Sequence, residues 1–139
     1  ADYVKKQFSL SIGDKMAEEI KIRIGSAVPV EEELTMAARG RDHLTGLPRS
    51  VEMGTNEIVR AIGKDLRTMV NAIKDVLQET PPELAADIID NGIIMTGGSS
   101  QLRNLPELIY RRTGVKARIA GTLHYIHSLA LCKAFFNIQ

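Results

Sequence analysis

A chain of 139 residues with 44% apolar and 25% charged residues is sized for one globular domain, or for two small lobes sharing a core. Its 18 basic and 17 acidic residues leave a formal charge of +1 without long blocks of either sign, so charge alone names no nucleic-acid or membrane partner. The single cysteine, Cys132, excludes an intrachain disulfide and a cysteine-based zinc cluster, and no run of about 18 apolar residues marks a membrane span.

Ala1 to Phe8 carries Asp2, Lys5 and Lys6 and no apolar signal core. A reducing cytosol is the expected compartment, and the missing initiator methionine fits either processing or a fragment. The first helical pattern runs from about Asp14 to Ile24, with Ala17, Ile20 and Ile24 on one face and Glu18 and Lys21 on the other; Gly25 is its stop. Val28 to Glu33, with a proline and three consecutive glutamates, reads as an exposed loop. Leu34 to Arg39 and Arg49 to Met53 have strand character and form a hairpin with a long connection ending in Thr45-Gly46-Leu47-Pro48.

After Gly54, Thr55 is placed to cap a long helix in which Ile58, Ile62, Leu66, Met69, Ile73 and Val76 recur at helical spacing. Pro81 and Pro82 end it near Thr80, and Thr80 with Glu83 has the spacing of a capping box for the next helix, which Gly92 closes. Ile93-Ile94-Met95 reads as a strand buried on both faces, running into Thr96-Gly97-Gly98-Ser99-Ser100. A helix around Leu105 to Arg112, a stop at Gly114, a strand over Val115 to Ile119 and a last helix from roughly Leu123 to Phe136 complete an alternation that predicts an α/β sheet.

Few residues offer chemistry. Adjacent glycines after a strand let a ligand approach the backbone, yet an ordinary tight turn has the same sequence, and the spacing fits neither the P-loop nor the dinucleotide fingerprint. Glu18 and Lys21, three apart on a polar face, read either as a solvated ion pair or as a carboxylate and an ammonium reaching one ligand. His124 and His127 are three apart without an acidic neighbour or cysteine to complete a metal set, and Cys132 among Leu129, Leu131, Phe135 and Phe136 reads as a buried, inert thiol. Ser99 and Ser100 lie outside any nucleophile elbow, so no catalytic residue and no metal ligand is assigned.

Four segments carry more. Glu18-Glu19-Ile20-Lys21-Ile22-Arg23-Ile24-Gly25-Ser26-Ala27, then Arg39-Gly40-Arg41-Asp42 with Thr45-Gly46-Leu47-Pro48, then Thr80-Pro81-Pro82-Glu83-Leu84 running on to Asp90, then Thr96-Gly97-Gly98, resemble the MreB family of bacterial actins in order and spacing. The resemblance covers nearly the whole chain to about Ala120. It implies an actin-like, ribonuclease H-like α/β fold: part of the second half, with residues 1–27 and 81–139 in its larger subdomain and 28–80 in a smaller α+β outer subdomain. It implies ATP or ADP with magnesium in the intact family protein, and a nucleotide site here of Glu18, Glu19, Ile20, Lys21, Gly97, Gly98, Ser99, Ser100 and Gln101.

It further implies filaments of MreB-type subunits that guide wall synthesis and rod shape from the cytoplasmic face of the inner membrane, and no nucleic-acid partner. The family's first half, and the Gly-Gly-Gly-Thr-Thr phosphate turn that opens its second half, have no counterpart in these residues. A fragment or truncated homologue is therefore expected to bind nucleotide weakly, through nucleoside contacts, and to lack hydrolysis of its own. An alternative is a nucleotide-independent module that caps or joins filaments. Ser99 stands where the family has a third glycine, and His127 to Leu131 replaces a glycine-containing segment. Exposed sheet edge and apolar surface predict an oligomer.

Overall fold

The computed structural model describes residues 1–120, which divide between two compact units: residues 1–68 with 102–104, and residues 69–101 with those from 105 onward. The expected last helix, and with it His124, His127 and Cys132, lies outside the described residues.

The first unit opens with helix α1 (Asp2–Phe8), whose C-cap Ser9 takes a left-handed turn at φ 52, and strand β1 (Leu10–Ser11). Helix α2 spans Asp14–Ile24, the boundaries set by the apolar spacing, and ends where Gly25 N–H donates to the Lys21 carbonyl. Strands β2 (Thr35–Asp42) and β3 (Pro48–Gly54) form the hairpin, in a β1-β2-β3 antiparallel sheet. Both strands reach further than β-propensity predicts, and the connection shrinks to residues 43–47. The reason is Asp42: its carboxylate accepts from the amides of Leu44 (2.8 Å) and Thr45 (3.0 Å), closing the turn, and from Arg49 Nη1 (2.9 Å) across it. Those donors, the Thr45 amide first, then the Arg49 guanidinium and the Leu44 amide, pull its pKa from 3.8 to about 2.

Alternation in the sheet follows the period of two. Ala38 and Met53 turn inward and are fully buried with Leu10, against Val4, Ile12, Ile20, Ile24 and Ile58, while Ala37, Arg39, Arg41 and Ser50 face out. Gly40 is required by β1, because a Cβ there would collide with the Ser11 carbonyl.

Helix α3 (Thr55–Glu79) contributes residues up to Thr68 to the first unit and the remainder to the second. Thr55 opens it without capping it. Its hydroxyl instead accepts from Leu34 N–H (3.1 Å) and donates to the Leu34 carbonyl (3.2 Å), since fully buried Thr55 finds that backbone within reach before its own helix. Asn56 and Glu33 complete the tie: Asn56 N–H and Nδ2 donate to the Glu33 carboxylate, and Asn56 bonds both backbone groups of Val30. The loop over 28–33 is thus held at the positive end of α3.

The second unit continues with α4 (Pro82–Asn91), β4 (Ile93–Met95), a 3-10 turn (Gly98–Gln101), α5 (Leu105–Thr113) and β5 (Ala117–Ile119), with β4 and β5 parallel. Two expectations fail here. The capping box does not form: Pro81 is the N-cap of α4, and the Thr80 hydroxyl donates back to the Val76 carbonyl at 2.7 Å, one turn earlier in α3. Nor is β4 buried on both faces, for Ile94 is 49% exposed while Ile93 and Met95, on the other face, are partly buried.

Candidate functional site

Asp14, Glu18 and Lys21 follow one another at i, i+4 and i+7 on α2, one helix face, and with Ala17 they line a cleft of about 400 Å³ inside the first unit. Its floor is apolar. Val4 of α1, Ile12, Ile20 and Ile58 are each less than 10% exposed, and Tyr3 and Ile62 form the walls. The result is a concave apolar surface with two carboxylates and one ammonium at its rim, the arrangement that holds a flat, partly apolar ligand by burial and orients it through a few polar contacts.

The four residues expected on α2 separate by role. Glu18 and Lys21 are exposed and line the cleft. They make no ion pair with each other. Ile20 belongs to the core at 2% exposure, and Glu19 turns to Arg23, pairing at 2.9 Å through an i, i+4 contact. An exposed pair of that kind contributes about 0.3–0.5 kcal/mol. Asp14, Tyr3 and Ile62 were not anticipated. The 14, 18, 21 spacing was a signal available for Asp14; nothing local marks residues that reach the cleft from other helices.

Gly97 to Gln101 belongs to the second unit. Gly97 sits at φ +91, a conformation that requires glycine, and a Cβ at either Gly97 or Gly98 would meet no atom within 4 Å. The space above this turn is open. Ser100 closes it from beneath: buried at 5% exposure, it donates its hydroxyl (2.6 Å) and its amide (3.1 Å) to the Gly97 carbonyl. Ser99 and Gln101 are exposed. The two groups of expected site residues thus lie in different units, one on a cleft wall and the other on an open backbone turn.

The Gly25-Ser26-Ala27 segment that follows α2 is fixed by residues 102–104. Ala27 N–H donates to the Arg103 carbonyl (2.8 Å), Arg103 Nε to the Gly25 carbonyl (3.3 Å) and Asn104 Nδ2 to Ser26 Oγ (3.1 Å). Asn104 takes a left-handed φ of 60. Ser26, fully buried, also donates to the Val28 carbonyl at 2.7 Å. Among the described residues no cluster of three or more His, Cys, Asp and Glu can hold a metal, and no helix is long and apolar enough to cross a membrane.

A family model described as MreB/Mbl protein matches residues 1–126. The cell shape-determining protein Mbl of Bacillus subtilis (strain 168) is 39% identical over 119 residues, covering 86% of this chain and 36% of that protein. Among solved structures, MreB5 of Spiroplasma citri bound to ADP aligns with a TM-score of 0.82 at 32% identity, over 86% of this chain and 36% of the other. The MamK double helical filament aligns at 0.68 and 18% identity, a likeness of fold alone, over 86% and 37%. The chain thus spans about a third of the length of the relatives it matches.

Proposed function

This chain belongs to the MreB/Mbl family and has its actin-like α/β fold, and on that premise we propose that it is one part of an ATP-binding, cell shape-determining filament subunit and carries the nucleoside-facing side of the site. The observation that carries the reading is the cleft beside α2 with Glu18 and Lys21 on its rim. An apolar floor suits a purine ring. The Glu18 carboxylate accepts from an amino or ribose hydroxyl group and the Lys21 ammonium donates to a ring nitrogen or hydroxyl oxygen; Gly97 to Gln101 are assigned to the nucleotide by family resemblance alone. The solved relative bound to ADP supports nucleotide binding in the family.

In the same reading residues 1–27 and 81–139 belong to the larger subdomain of the second half and 28–80 to the outer one. Phosphate and magnesium contacts fall to parts of the family fold beyond these residues, so affinity rests on the nucleoside, and no residue of this chain is assigned a hydrolytic role. Wall-synthesis partners and a place at the cytoplasmic face of the inner membrane belong to the intact protein.

Calorimetric titration with adenosine, ADP and ATP tests the reading. We expect weak binding of similar strength for all three, reduced about tenfold or more by Glu18→Ala or Lys21→Ala, the loss of one hydrogen bond to a charged group. Tight binding that requires both triphosphate and magnesium contradicts it. A second reading, an interaction module that caps or joins filaments without nucleotide, is favoured by the β2–β3 tip, where Leu44 and Leu47 are 84% and 65% exposed. Cosedimentation with full-length family filaments in the absence of nucleotide separates the two.

A further inference from the structure

The hairpin carries unmatched charge at its two ends. Arg39 and Arg41 share the outward face of β2, with Ser50 opposite Arg39, and with Pro48 and Ser11 opposite Arg41. No carboxylate stands across from either guanidinium. The nearest on that face, Glu52, lies opposite Ala37, and among the described residues neither arginine makes an ion pair. Arg49, on the inner face of the same end, is by contrast tied to Asp42. Just beyond the arginines project Leu44 and Leu47.

The segment leading into β2 has the complementary chemistry. Glu31 and Glu32 are exposed and make no ion pair among the described residues, and Leu34 is 46% exposed. The segment is also presented rigidly, since Asn56 and Thr55 pin Val30, Glu33 and Leu34. Arg39 and Arg41 are the fifth and seventh residues of β2, roughly 13 and 20 Å along an extended strand from its first residue. Among the described residues Glu31 and Glu32 make no ion pair with Arg39 or Arg41 of their own chain.

We propose that the β2–β3 tip of one copy docks on the Glu31–Leu34 segment of a second copy, with Arg39 and Arg41 facing Glu31 and Glu32, and Leu44 and Leu47 covering Leu34. The two surfaces differ, so a contact made once per pair is heterologous and leaves a free tip and a free acidic segment, from which assembly runs on or closes into a ring. It gives the filament-subunit reading, on which it rests, a defined partner surface that uses no residue of the nucleotide cleft.

The test is sedimentation velocity on the whole chain, its Arg39→Gln/Arg41→Gln variant, its Glu31→Gln/Glu32→Gln variant and an equimolar mixture of the two. All four positions are exposed and outside the core, and circular dichroism confirms that each variant folds. The parent should associate, less so at high ionic strength. Each variant should associate about tenfold more weakly, and the mixture, which restores one intact tip and one intact acidic segment, should form a dimer that grows no further. A monomeric parent, a variant that associates like the parent, or a mixture that behaves as its components overturns the proposal. Nucleotide titration of the same four samples should be unaltered; loss of nucleotide binding throughout, with the sedimentation pattern intact, removes the cleft assignment and leaves the contact standing.

Discussion

The two units use their apolar residues differently. In the first, Leu10, Ala38 and Met53 reach zero exposure inside one cluster fed by three helices and a sheet, and side chains such as Thr55, Asn56 and Ser26 spend their polar atoms on neighbouring backbone. In the second, the described core is Val70, Leu105, Ile109 and Val115, while Leu84, Ile89 and Tyr110 are more than half exposed and Ile94 is 49% exposed. A parallel strand pair is stable when both faces are covered, and β4 has cover on one. Among the described residues the contrast is between a unit with several side chains at zero exposure in one cluster and a unit whose strand β4 leaves Ile94 half exposed.

The sharpest way to break that contrast is deletion in the two places. Met53→Ala removes a fully buried side chain and should cost about 2–5 kcal/mol. Ile89→Ala, at a position 66% exposed, should stay within about 0.5 kcal/mol. Urea unfolding monitored by circular dichroism measures both, and equal losses would erase the distinction.

A second, smaller effect concerns pH. Asp42 has its folded pKa depressed from 3.8 to about 2, so its contribution to stability is fully present above about pH 4 and is lost as pH falls through about 2. Amide exchange at Leu44 and Thr45, which donate to that carboxylate, should accelerate across this window while β2 amides facing β3 remain protected. Unchanged exchange down to pH 2 would remove Asp42 from its role in closing the turn.

The smallest expected effect lies at the α3–α4 junction. Thr80→Ala should change stability by less than about 0.5 kcal/mol, where loss of a real N-cap costs about 1 kcal/mol, because the Thr80 hydroxyl bonds the preceding helix and not the following one. A loss of about 1 kcal/mol or more in thermal unfolding would restore the capping box.

Legibility in the sequence followed the length of the periodic signal. Helix α2 and helix α3 were readable nearly to the residue, because 11 and 25 residues repeat apolar positions at helical spacing. Helix α1 has seven residues and β1 two, too short for either period to register. The hairpin was visible, but its true extent depends on one carboxylate gathering three donors, which propensity does not encode. Thr55 and Thr80 both had the sequence of caps and both bond elsewhere: the cap signature states what a hydroxyl can do locally and is silent on what the fold offers it instead. At the candidate site, Glu18 and Lys21 were legible as polar residues on one face and acquired meaning through family resemblance. The apolar floor beneath them comes from Val4, Ile12 and Ile58, brought together only by packing.

Residues 102–104 bear on the order of events during synthesis. The first unit's core residues are complete in the nascent chain once Ile58 has emerged, yet the backbone of Gly25 and Ala27 and the Ser26 hydroxyl find their partners in Arg103 and Asn104, 78 positions further along for Ser26–Asn104 and Gly25–Arg103. Closing so long a loop carries only a logarithmic entropic cost, but it imposes a delay: a ribosome still short of residue 104 holds a first unit whose core is available and whose α2 exit is unlatched. The stretch just after Lys21 is therefore the last part of that unit to set, and it sets only after the Gly97–Gln101 turn has been made.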